Sequence, residues 1–381
     1  MTTGRPSSPD RELSRLLDSG LAYLQQRQAP DALWHSPSLA GPMHTSMGLL
    51  STNLLGEEDA LRFTRERTLV ENLLADQAVD GGFIAYAGGP STRPSTRIVL
   101  LALQVFGQHH REALERAPEL RARLEQAERR ARGFLASGRR ADESGFGFYK
   151  AVADILCDSI HPEHSRALPA LPGTSGVIRL LLDAKPLERS RHRLSMFFLQ
   201  AMPAFAVLFH KAAERSPWVR ATHAFTRKLG RGSRALNALE ARILALQEPG
   251  GAWMWTVMGT MLNLLALRAL GHGPSHPAIR RGIAYIERLR VPNAEGRLVQ
   301  AWCHAEIWDT VWASDTLLTA GERPQVLRGA EVVERILEQQ RGGYWAYGNA
   351  SSQGENDSTA LVVACLAKLA RGLEGKTREA L

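Results

Sequence analysis

Residues 341–347 read Arg-Gly-Gly-Tyr-Trp-Ala-Tyr, and eight residues after Tyr347 the chain resumes as Glu355-Asn-Asp-Ser-Thr-Ala-Leu-Val-Val363. An aromatic turn leads into a short acidic knot, and the knot opens an apolar helix. Upstream stands Glu306-Ile-Trp-Asp-Thr310. Carboxylates beside tryptophan and tyrosine suit one kind of chemistry. A single carboxylic acid, kept away from water, protonates a weakly basic hydrocarbon, and aromatic faces receive the cation that forms. Asp357 stands at the start of an expected helix, whose positive end favours an anion and so strengthens an acid there. The same residues also carry a plain structural reading. An Asp before Ser-Thr is an ordinary helix N-cap, and Trp308 with Trp312 reads equally as the buried face of an amphipathic helix.

The elements that must position these residues are helices. Leu13, Leu16, Leu17, Leu21 and Leu24 recur at helical spacing. Segments 100–106, 114–135, 236–246, 261–270, 279–289 and 332–337 behave alike, and alternating strand-like runs are scarce. The expected fold class is all-α. The longest apolar stretch, residues 194–209, contains Gln200 and Pro203. It falls short of the roughly 20 residues that a spanning helix needs, so it reads as a buried core helix.

A repeat links the helices. A helix ends in Gln, small or polar residues follow, and an aromatic closes the turn: Gln28 to Trp34, Gln77 to Phe83, Gln247 to Trp253 and Gln340 to Trp345. Glycine supplies the left-handed residue that stops a helix. The Gln amide can bond open backbone groups of a neighbouring helix, with the aromatic ring stacked over it. Such turns tie successive helix pairs of a barrel or solenoid.

Composition bounds the partners. The chain has 381 residues, 44% hydrophobic and 23% charged, as a globular protein with a large core requires. Its net charge of +8 comes from basic residues scattered among acids. That argues against a nucleic-acid partner and fits a mild attraction to anionic lipid. Cys157, Cys303 and Cys365 are far apart and form no C-x-x-C pair. They are expected as free buried thiols in a reducing compartment. The first thirty residues are charged throughout and lack the apolar core of a signal peptide. The expected location is cytoplasmic.

These motifs resemble the squalene-hopene cyclases, a family of class II terpene cyclases, over most of residues 15–370. The Gln–aromatic turns resemble the family's QW motifs. Asp80-Gly-Gly-Phe-Ile-Ala-Tyr-Ala-Gly-Gly-Pro90 is similar to its "DGxWxLYPGGP" segment, and Pro169-Ala-Leu-Pro172 to its proline-rich crossover. Ile307-Trp-Asp-Thr310 is similar to "VWDT", and Gly342 through Val363 to "GGxxFxF…DxDDTAVV", spacing kept. The resemblance implies an α/α-barrel architecture of two domains, one inserted in the other. Residues 1–15 form an arm, 16–300 a nearly complete inserted barrel, and 301–381 the start of the catalytic barrel. It implies protonation-initiated cyclisation of a linear isoprenoid such as squalene, without metal or redox cofactor. Asp357 is the implied donor, with Glu355 and Ser358 in place of the family's flanking aspartates. Trp308, Asp309, Tyr344, Trp345 and Tyr347 would line the substrate. Ala346 stands where the family alternates a further aromatic.

The resemblance also implies that the rest of the catalytic barrel comes from a complementary cyclase chain, the surface around 301–370 being covered by it. A second copy or peripheral contact with the cytoplasmic face of a membrane is the alternative cover. A third alternative is a truncated gene product that does not fold stably, whose residues after Gln300 would expose apolar helix faces such as Leu361, Val362, Leu366 and Leu369. A different class of function remains open: a non-catalytic helical-barrel subunit that holds a prenyl lipid or a partner chain. Other chemistries lack their residues. There is no G-x-x-x-x-G-K-[ST] loop and no DDxxD cluster for magnesium. His161-Pro-Glu-His164 is a poor zinc motif, and the Asp-x-Cys pair of protein prenyltransferases is missing. Ser144 to Phe148 and Gly173 to Gly176 read as turns.

Overall fold

The computed structural model describes residues 8–35, 41–57, 61–85, 89–137, 147–160, 196–213, 231–293, 296–348 and 356–373. His161, His164, residues 169–176 and Glu355 lie outside them. Among the described residues the chain is all-α. Its helices are α1 (Ser8–Gln26), α2 (Gly41–Leu55), α3 (Arg62–Ala75), α4 (Arg93–His109), α5 (Arg111–Glu115), α6 (Pro118–Ala136), α7 (Gly147–Ile160) and α8 (Met196–Ala213). They continue as α9 (Arg231–Ala245), α10 (Val257–Ala269), α11 (Pro277–Arg288), α12 (Glu306–Thr319), α13 (Gly329–Glu338) and α14 (Asn356–Gly372). Two short antiparallel ribbons pair β1 (Phe83–Ile84) with β2 (Ser91–Thr92) and β3 (Arg290–Pro292) with β4 (Leu298–Gln300).

Two compact units form, one of residues 1–37 with 304–381 and one of residues 38–303. In the larger unit α2 packs on α4, α4 on α7, α7 on α8, α8 on α10, and α10 on α2, which closes a ring of inner helices. Outer helices cover it: α3 and α11 on α2, α6 on α4, α9 on α8. This is an α/α barrel, and the two layers differ in sequence as their surroundings require. Outer helix α11 buries Ile279, Gly282, Ile283 and Ile286 and exposes Arg280. Inner helix α10 is buried from Val257 through Leu267 on every face. Helix α8 runs through Pro203 with Ala204 to Leu208 buried. No described helix is long and apolar enough to cross a membrane.

The Gln–aromatic turns join outer to inner helices through one recurring set of bonds. Four residues after the Gln, the backbone turns left-handed, at Gly81 (φ 86°), Gly251 (φ 95°) and, without glycine's freedom, Ala32 (φ 69°). The amides of Gln77, Gln247 and Gln28 each donate to that residue's carbonyl, at 3.0, 3.0 and 2.9 Å. Each also donates to a carbonyl of the following chain: Ala127 at 2.9 Å, Ala278 at 2.8 Å and Leu327 at 2.7 Å. A Cβ on Gly81 or Gly251 would meet the carbonyl of Arg130 or Arg281 at 2.6 or 2.2 Å, which fixes glycine there. In the last turn the same spacing falls on Gln339, four residues before Gly343 (φ 87°) and six before Trp345. The half-buried Gln339, not the exposed Gln340, is therefore in register with the others.

The indole N–H of Trp34, Trp253 and Trp345 donates back to the preceding helix, to the carbonyls of Leu24, Ile243 and Ile336, each at 2.7 Å. The aromatic's backbone N–H donates forward to a threonine hydroxyl on an inner helix. Phe83 reaches Thr96 at 2.9 Å, Trp253 Thr260 at 3.1 Å, Trp345 Thr359 at 3.1 Å, and Trp34 Thr310 at 3.0 Å. The last pair is 276 residues apart in sequence. Trp34 thus serves α12 as Trp253 serves α10, with the whole larger unit in between along the chain. This corrects the expected boundary: residues 16–37 belong with 304–381, because Trp34 and Ala32 pack in one core with Ile307, Val311, Val333 and Ile336. Val362, Leu366 and Leu369 are buried in that same core, with Leu361 partly buried against it. The expected bare face around them is thus packed within the unit itself.

Among the described residues of the larger unit the carboxylates of Glu66 and Glu248 are buried. Glu66 is fully buried. It accepts from Thr52 Oγ1 at 2.5 Å and Asn53 Nδ2 at 2.7 Å, and meets His110 Nε2 at 3.2 Å and Arg290 at 3.7 Å. Burial alone would raise its pKa. The bonds from His110, Thr52 and Asn53 and the Arg290 charge outweigh that and hold it below its ordinary 4.5. A depressed carboxyl pKa stabilises the fold above the ordinary carboxylate range, and the gain is lost as pH falls through the folded-state value. Glu66→Ala should cost about 3–5 kcal/mol by stranding Arg290. Urea unfolding at about pH 7 and about pH 3 should show the wild type losing more stability on acidification than the variant.

Candidate functional site

The residues singled out for chemistry fall on the smaller unit, where α12 and α14 pack side by side. Loop 341–348 ties their starts together. At Trp345 it holds α14, the Trp345 N–H donating to Thr359 and the Thr359 hydroxyl donating back to the Trp345 carbonyl at 3.3 Å. At Tyr347 it holds α12, whose Trp308 N–H donates to the Tyr347 carbonyl at 3.3 Å. That bond brings the rings together. Tyr347 stacks on Trp308 with centroids 5.1 Å apart and planes at 30°, and Trp312 meets Trp308 edge-on at 6.1 Å. Trp308 and Tyr347 are half-buried, while Trp312 keeps 47% of its surface exposed.

The four aromatic residues expected in the site therefore separate. Trp308 and Tyr347 form a pair. Tyr344 is 37% exposed, in the tight bridge that pairs it with Arg341. Trp345 is a core residue, 4% exposed among Val333, Ile336 and Val362 with its indole N–H spent on Ile336. Trp345, expected on the substrate, is the ring that the turn uses as an anchor, and it faces into this core. The neighbouring Cys365 thiol is pushed up to about 12, chiefly by burial, and is inert at neutral pH. Cys303 is buried too, whereas Cys157 is only half-buried.

Asp357 lies in the first turn of α14 and is exposed. Its carboxylate accepts the Ser358 N–H at 2.9 Å, and Ser358 itself is buried. Asp309 is half-buried in the first turn of α12, with Glu306. Aligning inner helices on their turn-binding threonines gives these acids a register. Four residues before Thr96 and Thr260 stand Thr92 and Thr256, which cap their helices by accepting from Ser95 at 3.3 Å and Gly259 at 3.0 Å. Four residues before Thr310 and Thr359 stand Glu306 and Glu355. Asp357 occupies the register of Trp308, Met258 and Pro94. The smaller unit thus carries acids where the larger one carries neutral caps. The signal was present in the sequence as a Thr-x-x-x-Thr spacing that becomes Glu-x-x-x-Thr.

Among the described residues no group of three His, Cys, Asp or Glu is placed to hold a metal ion. The arrangement offers carboxylates and a stacked aromatic pair at the starts of two adjacent helices, which suits proton transfer next to an apolar group.

No family model and no curated protein matches the chain. Among solved structures, type II terpene cyclase MstE from Scytonema in its apo form is 14% identical over 95% of this chain and 100% of its own, with a TM-score of 0.20. The complex of an MstE variant with geranylgeranyl dihydroxybenzoate is 14% identical over 95% and 99%, at 0.21. A protein from Actinoplanes is 16% identical over 94% and 99%, also at 0.21. Superpositions this loose transfer no residue role.

The two readings of the loop separate by mutation. Trp345→Phe should lower the unfolding free energy by about 1–3 kcal/mol through the lost buried bond. Tyr344→Phe, one residue away and exposed, should change it by less than about 0.5 kcal/mol. Equal effects in a denaturant titration would remove the distinction between anchor and surface ring.

Proposed function

We propose that the chain acts as a class II terpene cyclase, with Asp357 as proton donor. The reading rests on one observation: loop 341–348 is bonded to both α12 and α14, which sets the Trp308–Tyr347 pair and Asp357 at the starts of two adjacent helices. The donor O–H of Asp357 gives its proton to the less substituted carbon of a terminal alkene. The π electrons form the new C–H bond, and the other carbon becomes a tertiary cation. Further alkenes of the same chain attack in turn, each closing a ring and moving the cation along. A final proton loss ends the sequence with no net change of atoms. The step needs no metal and no redox cofactor. Trp308 and Tyr347 present π faces to the early cation, and Asp309 and Ser358 supply polar groups in the first turns of the same two helices.

Asp357 is exposed in this chain, and protonating an alkene requires that water be kept out. The proposal therefore includes a cover. A complementary cyclase chain is the form we favour, with the cytoplasmic face of a membrane as the other source of an apolar lid. The substrate is a linear isoprenoid, squalene or a shorter polyprenyl chain. The exposure of Asp357 also favours a second reading, a non-catalytic helical subunit that holds a prenyl lipid.

The test incubates the chain, alone and with the product of its genomic neighbour, with squalene and with geranylgeranyl dihydroxybenzoate. Cyclic product should appear and should fall by about 10²–10⁴-fold in Asp357→Asn. Product formed equally well by Asp357→Asn would place the acid elsewhere. Prenyl-lipid binding without turnover in any combination would favour the subunit reading.

A further inference from the structure

Gly348 closes the loop that carries Tyr347, and nothing in the chemistry above uses it. Its φ is not left-handed, so backbone conformation does not demand glycine. Space does. A Cβ at position 348 would lie 2.7 Å from Glu306 Oε2, 2.8 Å from the His304 carbonyl oxygen and 3.5 Å from Ala305 Cα. A carboxylate can swing aside, but a carbonyl in the backbone before α12 cannot move without carrying the helix start with it. The bare Cα of Gly348 is thus what lets the loop lie flat on the start of α12. The neighbouring bond from Trp308 N–H to the Tyr347 carbonyl is already 3.3 Å long, so it has little reserve if the loop lifts. The Trp308–Tyr347 stack sits on that bond.

We propose that Gly348 is a positioning residue. It sets the distance between the Tyr347 ring and Trp308, and through that distance it selects which cation of the cyclisation is stabilised and hence which product forms. The selection rests on the function proposed above; the setting of the ring pair does not. Glu306, packed against the same Cα, shares the role by filling the space that a side chain would claim. An aromatic face acts on a cation only within about 6 Å of the ring centroid. A ring displaced by about 1 Å can cost about 10²-fold in rate.

The experiment compares Gly348→Ala and Tyr347→Ala with the wild type. Near-ultraviolet circular dichroism reads the ring pair without any turnover, and thermal unfolding reports the fold. Gly348→Ala should alter the aromatic spectrum while unfolding stays cooperative. An unchanged spectrum overturns the positioning role, whatever the chain's activity. With prenyl substrate, Gly348→Ala should lower kcat by about 10²-fold, leave KM within about twofold, and shift the ratio of cyclic products. Tyr347→Ala, which removes the ring and leaves the turn, should shift that ratio the same way. A disturbed spectrum with an unchanged product ratio overturns the selection. If Gly348→Ala does not fold, an unchanged ratio in Tyr347→Ala does so. A wild type that makes no cyclic product defeats the function reading and leaves the spectroscopic result to decide the positioning role.

Discussion

The hydrogen bond from a turn aromatic's backbone N–H to a threonine hydroxyl is the constraint on which the helix pairs depend. A helix that stops leaves carbonyls open, and the next helix begins with N–H groups open. An α/α fold must satisfy both at every reversal, in places where water is excluded. Here one small device does so repeatedly. The glutamine amide takes two carbonyls, the indole takes a third, and the threonine hydroxyl takes the N–H that the turn leaves over. Each bond is worth about 1 kcal/mol net, but a missing partner in the buried turn would cost more than that. The device therefore fixes where an inner helix starts to within one residue.

That constraint explains how a unit of residues 38–303 can interrupt the smaller one along the chain. The turn after α1 requires a threonine on an inner helix, and the bond does not depend on sequence distance. Trp34 finds Thr310 at 3.0 Å as Trp253 finds Thr260 at 3.1 Å seven residues on. Helices α1 and α12 thus form one outer–inner pair whose connection is the larger unit itself.

Much of this was legible in the sequence, for physical reasons. The glutamine-to-aromatic spacing, the glycine four residues on and the apolar periods of α11 or α13 are local, and local pattern decides a turn or an amphipathic face. What was not legible is what long-range packing decides. Trp345 and Tyr347 look alike as aromatic residues two apart, yet one is the turn's buried anchor and the other stacks on Trp308. The burial of Glu66 depends on Arg290, far along the chain, and no spacing announces it. Exposed Asp357 was named as an acid by its neighbours in sequence, which say nothing of how much solvent reaches it.

The register of the inner helices sets the smaller unit apart from the larger. Thr92 and Thr256 are efficient caps because a short side chain can fold back on its own helix. Glutamate is too long for that geometry, and α12 starts at Ala305 with no side-chain cap. Replacing the cap by Glu306 gives up some stability at a helix start that the fold could have kept. Trp308, in the same turn, is left half-buried and stacked on Tyr347, where the equivalent Met258 is packed away. Two departures from the locally best residue, the lost cap at Glu306 and the half-buried Trp308, thus fall in one turn of a repeated device. The larger barrel keeps a threonine cap at both corresponding helix starts, Thr92 and Thr256.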